Sequence, residues 1–118
     1  MVAVTDQITL FQAEQDALDH VAECIAAMHE LGIKKAEAER EYRILKQKRM
    51  LYERHKGTPV TIIQDVVKGS QDVADLLFAR ECTVSEYDAN YEAILYWKLR
   101  VNTIRDQIKR EWSQAAEQ

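Results

Sequence analysis

Apolar side chains return every seven positions along the first half of the chain, at Leu10, Ala17, Cys24, Leu31, Ala38, Leu45 and Tyr52. A second row, Val21, Met28 and Tyr42, follows four residues behind and so lies on the same helical face, although Glu14, Lys35 and Arg49 interrupt it. This spacing predicts a long, coiled-coil-like helix, since a strand would alternate with period two. The second half repeats the pattern through Tyr87, Ile94, Val101 and Ile108, with Leu77, Val84, Tyr91 and Trp112 on an adjoining row. Thr5 followed by Asp6 suits the start of the first helix. Gly32 is its weakest interior position and a place for a bend, because glycine costs about 1 kcal/mol relative to alanine within a helix.

Between the two tracks, residues 57–69 hold two of the three glycines and the only proline. The chain therefore reverses there. Thr58 before Pro59 reads as a helix cap with proline in the first helical position, and Gly69 after Lys68 closes the segment. A short helix is predicted, with Val60, Ile63 and Val67 on one face and Ile62 and Val66 at its borders. The run of β-branched residues also suits a strand, which the capping residues disfavour. Ser70, with Asp72 in the next turn, opens the second arm, while the Thr83-x-x-Glu86 spacing of a capping box leaves a break near Cys82 as the alternative to a continuous arm. The expected fold is all-α, a long antiparallel helical hairpin forming one domain over residues 1–118. Arm one occupies 5–56, the tip with its short helix 57–69, and arm two 70–116.

Charge changes sign along the chain in a way that supports the reversal. Residues 1–33 carry six acids and no Lys or Arg, and residues 34–56 nine bases against four acids. Residues 57–96 then carry seven acids against two bases, and residues 97–118 five bases against three acids. Folding back at the tip sets opposite signs side by side at both ends, whereas a parallel arrangement would juxtapose like charges. Each exposed pair is worth only about 0–1 kcal/mol, so the pattern selects orientation more than it supplies stability. Phe11, Leu18 and Ile25 widen the apolar face of arm one, and Ile94-Leu95-Tyr96-Trp97 spreads apolar surface around arm two. One partner helix cannot cover that surface, so two hairpins are expected to dimerise into a four-helix bundle.

Composition narrows the chemistry. At 118 residues, 47% hydrophobic and 31% charged, the chain has the make-up of one soluble domain. No stretch approaches the roughly 18 consecutive apolar residues of a membrane span, and residues 1–6 have neither the basic nor the apolar region of a leader. The cytoplasm is the expected location. Cys24 and Cys82 match neither a zinc motif nor a disulfide framework, so reduced thiols are expected. Asp16, His20 and Cys24 have helical metal-ligand spacing, but Cys24 falls in the apolar register, where a small buried side chain is the stronger reading. His29 and His55 have no ligand-like partners. With no phosphate loop, no nucleophile elbow and no Glu-x-x-His pair, neither enzymatic activity nor a metal or other cofactor is expected.

Two stretches are candidates for binding. The first is the basic segment 34–56, where Lys34, Lys35, Arg40, Arg43, Lys46, Arg49 and Arg54 are candidate nucleic-acid contacts interleaved with Tyr42 and Tyr52. Glu37, Glu39, Glu41 and Glu53 dilute its field, and Glu39 and Arg43 have the spacing of an intrahelical pair, which favours a solvated face. The second is the tip, where Val60, Ile62, Ile63 and Val66 are candidate contacts for a protein partner. The competing reading has the tip's apolar residues close the open end of the bundle.

The run Thr58-Pro59-Val60-Thr61-Ile62-Ile63-Gln64-Asp65-Val66-Val67-Lys68-Gly69 is followed by Asp72-Val73-Ala74-Asp75-Leu76, Arg80-Glu81, Tyr91-Glu92-Ala93-Ile94, Leu99-Arg100 and Glu111-Trp112. Together these resemble a group of small all-helical proteins of phages and prophages of Gram-positive bacteria. The resemblance covers about half the chain, in the tip and along arm two, with Arg80-Glu81 standing where the group has Arg-Asp. It implies a phage-associated origin among replication or recombination genes, and it transfers no catalytic motif or functional residue. The expected function is therefore non-enzymatic binding of another protein, a replication or recombination component or a host defence complex. A nucleic-acid accessory role for segment 34–56 is the alternative.

Overall fold

The structure is a computed structural model that describes residues 4–117, with side chains from Ile8 onward. It is all-α among the described residues: α1 (Val4–Lys56), α2 (Ile63–Lys68) and α3 (Gln71–Ala116). The two long helices pack against each other with the short one between them in sequence, which is the expected helical hairpin. Thr5 and Asp6 lie within α1, and their side chains fall outside the described residues.

Packing divides into two units. One joins α1 up to Met28 to α3 from Ala89 onward, and its core is Ala17, Val101 and Ile104, flanked by Ala13, Leu18, Val21, Trp97 and Ile108. The other, His29–Asp88, holds the tip and centres on Tyr42, Val67 and Val73, flanked by Leu45, Met50, Leu76 and Leu77. Val67 and Val73 are the most completely buried side chains there, and removing such a valine from water is worth about 1.5–3 kcal/mol.

The seven-residue register survives in space, since Leu10 to Leu45 and Tyr87 to Ile108 are all buried or half-buried. Tyr52 is the exception, exposed because the drift of a straight helix against a seven-residue repeat turns the buried face towards Met50 and Glu53 by that point. Every polar interruption of the second row meets a partner on α3. Glu14 pairs with Arg105 at 3.5 Å, Lys35 sits 4.4 Å from the ring centre of Tyr87, and Arg49 donates to Asp72. Asn90 does the converse, donating from α3 to the Cys24 carbonyl at 2.9 Å and facing the Met28 sulfur at 3.2 Å. Polar groups inside an apolar seam penalise every shifted register, because a slip would leave them buried and unpaired.

Two local expectations are corrected. Thr58 does not cap a helix at Pro59: α2 starts at Ile63, and the preceding residues form a turn closed by the Ile62 amide donating to the Pro59 carbonyl at 3.1 Å. Thr58 instead belongs to the end of α1. Its amide donates to the Glu53 carbonyl at 3.0 Å while that of Gly57 donates to Arg54 at 3.2 Å, a Schellman-type ending that requires a left-handed residue. Gly57, at φ 96°, supplies it. The capping-box spacing at Thr83 and Glu86 breaks nothing either, because the Thr83 hydroxyl donates back to the Arg80 carbonyl at 2.7 Å and α3 runs on. At Gly32, α1 continues without interruption, and a side-chain carbon there would stand 3.6 Å from the Tyr87 ring.

Candidate interaction surfaces

The tip is assembled from the end of α1, a turn, α2 and the start of α3. Its anchor is Arg49, whose Nε and Nη2 both donate to one Asp72 oxygen, at 2.9 and 2.6 Å, while the other oxygen accepts the Val73 amide. The guanidinium holds the Asp72 carboxyl below its ordinary pKa, and the carboxylate in turn holds Arg49 above its own. A second anchor is the buried Glu53 carboxylate, which accepts the Thr58 hydroxyl and so clamps the turn to α1. Ser70 opens α3, its carbonyl accepting the Ala74 amide and its hydroxyl donating to the Val67 carbonyl.

On this frame the four apolar tip candidates separate. Val60, Ile62 and Val66 are 78%, 46% and 40% exposed. Ile63 is only 5% exposed and faces inward together with Val67, four residues later on the same side of α2. The tip is thus both lid and surface, with Ile63 and Val67 closing the core and the other three presented to solvent. Ile63 is removed from the set of contact candidates, because a side chain already buried in its own unit has no area left to offer a partner.

The basic candidates are mostly committed within their own unit. Lys34 pairs with Glu30, Arg43 with Glu39, Arg49 with Asp72, and Lys35 and Lys46 lie over the rings of Tyr87 and Tyr42. Arg40 and Arg54 are exposed and have no ion-pair partner among the described residues. Glu39 is shared across the hairpin, its oxygens facing Arg43 Nε at 2.7 Å and Arg80 Nε at 3.3 Å. That sharing, led by the Arg43 hydrogen bond, lowers the Glu39 pKa. Arg80 also donates to Glu81 at 2.8 Å and stacks 4.7 Å from the Tyr42 ring centre, so Glu81 balances the cation that bridges the two helices. Acids interleaved within segment 34–56 signalled this neutralisation in the sequence; the contribution of Arg80, which is distant along the chain, had no local signal.

Asp16, His20 and Cys24 do not converge. His20 stacks on Trp97 at 4.0 Å and 12°, Asp16 accepts from Gln12, and Cys24 is half-buried; among the described residues no three His, Cys, Asp or Glu side chains gather as metal ligands. No described helix is long and apolar enough to cross a membrane. Compared with known proteins, the chain matches no family model, no curated protein and no solved structure.

Proposed function

We propose that this is a non-enzymatic, self-associating helical interaction protein that binds another protein through its tip. The observation that carries the reading is the outward placement of Val60, Ile62 and Val66 on a turn and short helix pinned from beneath by Ile63, Val67 and the Arg49–Asp72 pair. Apolar side chains held on a fixed frame bind with little further ordering cost, which is what a recognition surface needs. The sequence resemblance supports a phage-associated setting, with a replication or recombination component or a host defence complex as the partner, and the composition supports the bacterial cytoplasm as the place.

Affinity capture from infected cells, with and without nuclease, tests this reading. One protein recovered regardless of nuclease, and lost with Ile62→Asp or Val66→Asp, is the expected result; capture unaffected by both substitutions removes the tip from the mechanism. The nucleic-acid alternative draws its support from Arg40 and Arg54, the two candidate contacts that have no ion-pair or ring partner among the described residues. It predicts binding that falls steeply with salt and disappears in Arg40→Glu/Arg54→Glu. On the favoured reading that double variant keeps full capture.

A further inference from the structure

In the unit that contains the chain ends, the two edges of the helix pair differ in chemistry. One position after the seam residues of α1 come Phe11, Leu18 and Ile25, and one position before them come Asp16 and Glu23. On α3 a seven-residue row, Tyr91, Lys98, Arg105 and Trp112, borders the same groove as the apolar row of α1: Leu18 and Val21 line it with Lys98 and Arg105, and Phe11 lines its continuation with Trp112. Phe11, Ile25, Tyr91 and Trp112 are about half exposed there. The result is an apolar face on one side of the pair that nothing among the described residues of its own unit covers.

Resting on the self-association proposed above, we infer that this face is covered by the same face of a second copy, with α1 of each copy lying on α3 of the other. Charge chooses this pairing. Up to Glu30, α1 carries acids and no Lys or Arg, whereas the chain from Trp97 onward has five bases against three acids. Setting α1 on the partner's α3 joins segments of opposite net sign, while α1 on α1 joins two acidic segments. The face is then self-complementary about a two-fold axis parallel to the helices, an isologous interface in which each helix is antiparallel to both its neighbours. Such an axis preserves the level along the helices, so Ile25 of one copy meets Tyr91 of the other.

Sedimentation velocity and cysteine crosslinking on the full chain, in a Cys24→Ala/Cys82→Ser background, test the arrangement. The chain should sediment as a dimer at micromolar concentration. Ile25→Glu should convert it to a monomer of unchanged helical circular dichroism. With oxidised glutathione, an Ile25→Cys chain mixed with a Tyr91→Cys chain should give a covalent dimer that neither chain gives alone. Crosslinks between α1 positions instead, Leu18→Cys with itself or Phe11→Cys with Ile25→Cys, overturn the arrangement, as does a dimer lacking the 25–91 link. A wild-type monomer overturns self-association together with the arrangement, whereas loss of the arrangement alone leaves tip binding and self-association standing.

Discussion

The two units are built from the same pair of helices, and they bury their surfaces to different degrees. Around the tip, α2 lays Val67 over Tyr42 and Val73 and buries Ile63 beside it on the same face, so three segments enclose one core. The terminal unit has only α1 and α3. Its buried core is a stripe of Ala17, Val101 and Ile104, with Phe11, Ile25, Tyr91, Leu95 and Trp112 left largely open beside it. A helix pair can remove from water only the residues along its line of contact, and a third element is needed to enclose the flanks. Six residues of α2 suffice at the tip; among the described residues of the terminal unit no third element covers the flanks.

The sharpest way to break this comparison is to truncate one side chain of each kind. Tyr42→Ala should cost about 3–5 kcal/mol in chemical denaturation, as for other buried aromatics. Leu99→Ala, at a position exposed on the outer side of α3, should stay within about 0.5 kcal/mol. Equal losses would mean that the outer side of α3 is covered after all. Glycine substitutions sharpen the contrast at intermediate size. Gly57→Ala forces a left-handed backbone on alanine and should destabilise by about 1–2 kcal/mol, whereas Gly32→Ala places its methyl in ordinary contact with Tyr87 and should raise stability by about 1 kcal/mol. Thermal melts of the two variants should therefore move in opposite directions.

The smallest expected effect is pH dependence, and it belongs to the tip unit. Asp72 and Glu39 have folded-state pKa values lowered chiefly by hydrogen bonds from Arg49 and Arg43. A lowered carboxyl contributes stability above its unfolded value, near 4, and loses that contribution as pH falls through the lower folded value. Protection of tip-unit amides against hydrogen exchange, taken relative to the intrinsic exchange rate at each pH, should fall below about pH 4, and Asp72→Asn should flatten that response. An unchanged acid response in Asp72→Asn would assign the effect to other carboxylates.

Much of the fold was legible in the residues. Seven-residue spacing marked both long helices, glycine and proline marked the reversal, and alternating charge blocks marked its antiparallel sense, because each of these signals is local or additive along the chain. Details that depend on distant partners were not legible. Thr58 has the chemistry of a helix cap, yet its hydroxyl is taken by Glu53, and the Thr83 capping box is overridden by the packing of α3. Of the tip candidates, Val60, Ile62 and Val66 remain exposed and Ile63 turns inward, a distinction of one helical position that the later start of α2 settled. Segment 34–56 read as basic, and the structure then paired Lys34, Arg43 and Arg49 with acids and laid Lys35 and Lys46 over tyrosine rings.

By itself the sequence determined that this chain is helical, that it turns back once, and which stripe of each helix is apolar, since these follow from periodicity and backbone preference. Only the tertiary structure decided which polar interruptions are matched across the hairpin, which side of the tip faces water, and which apolar rows stay open. Those outcomes depend on what lies opposite a side chain in space, and neighbours along the chain cannot report that.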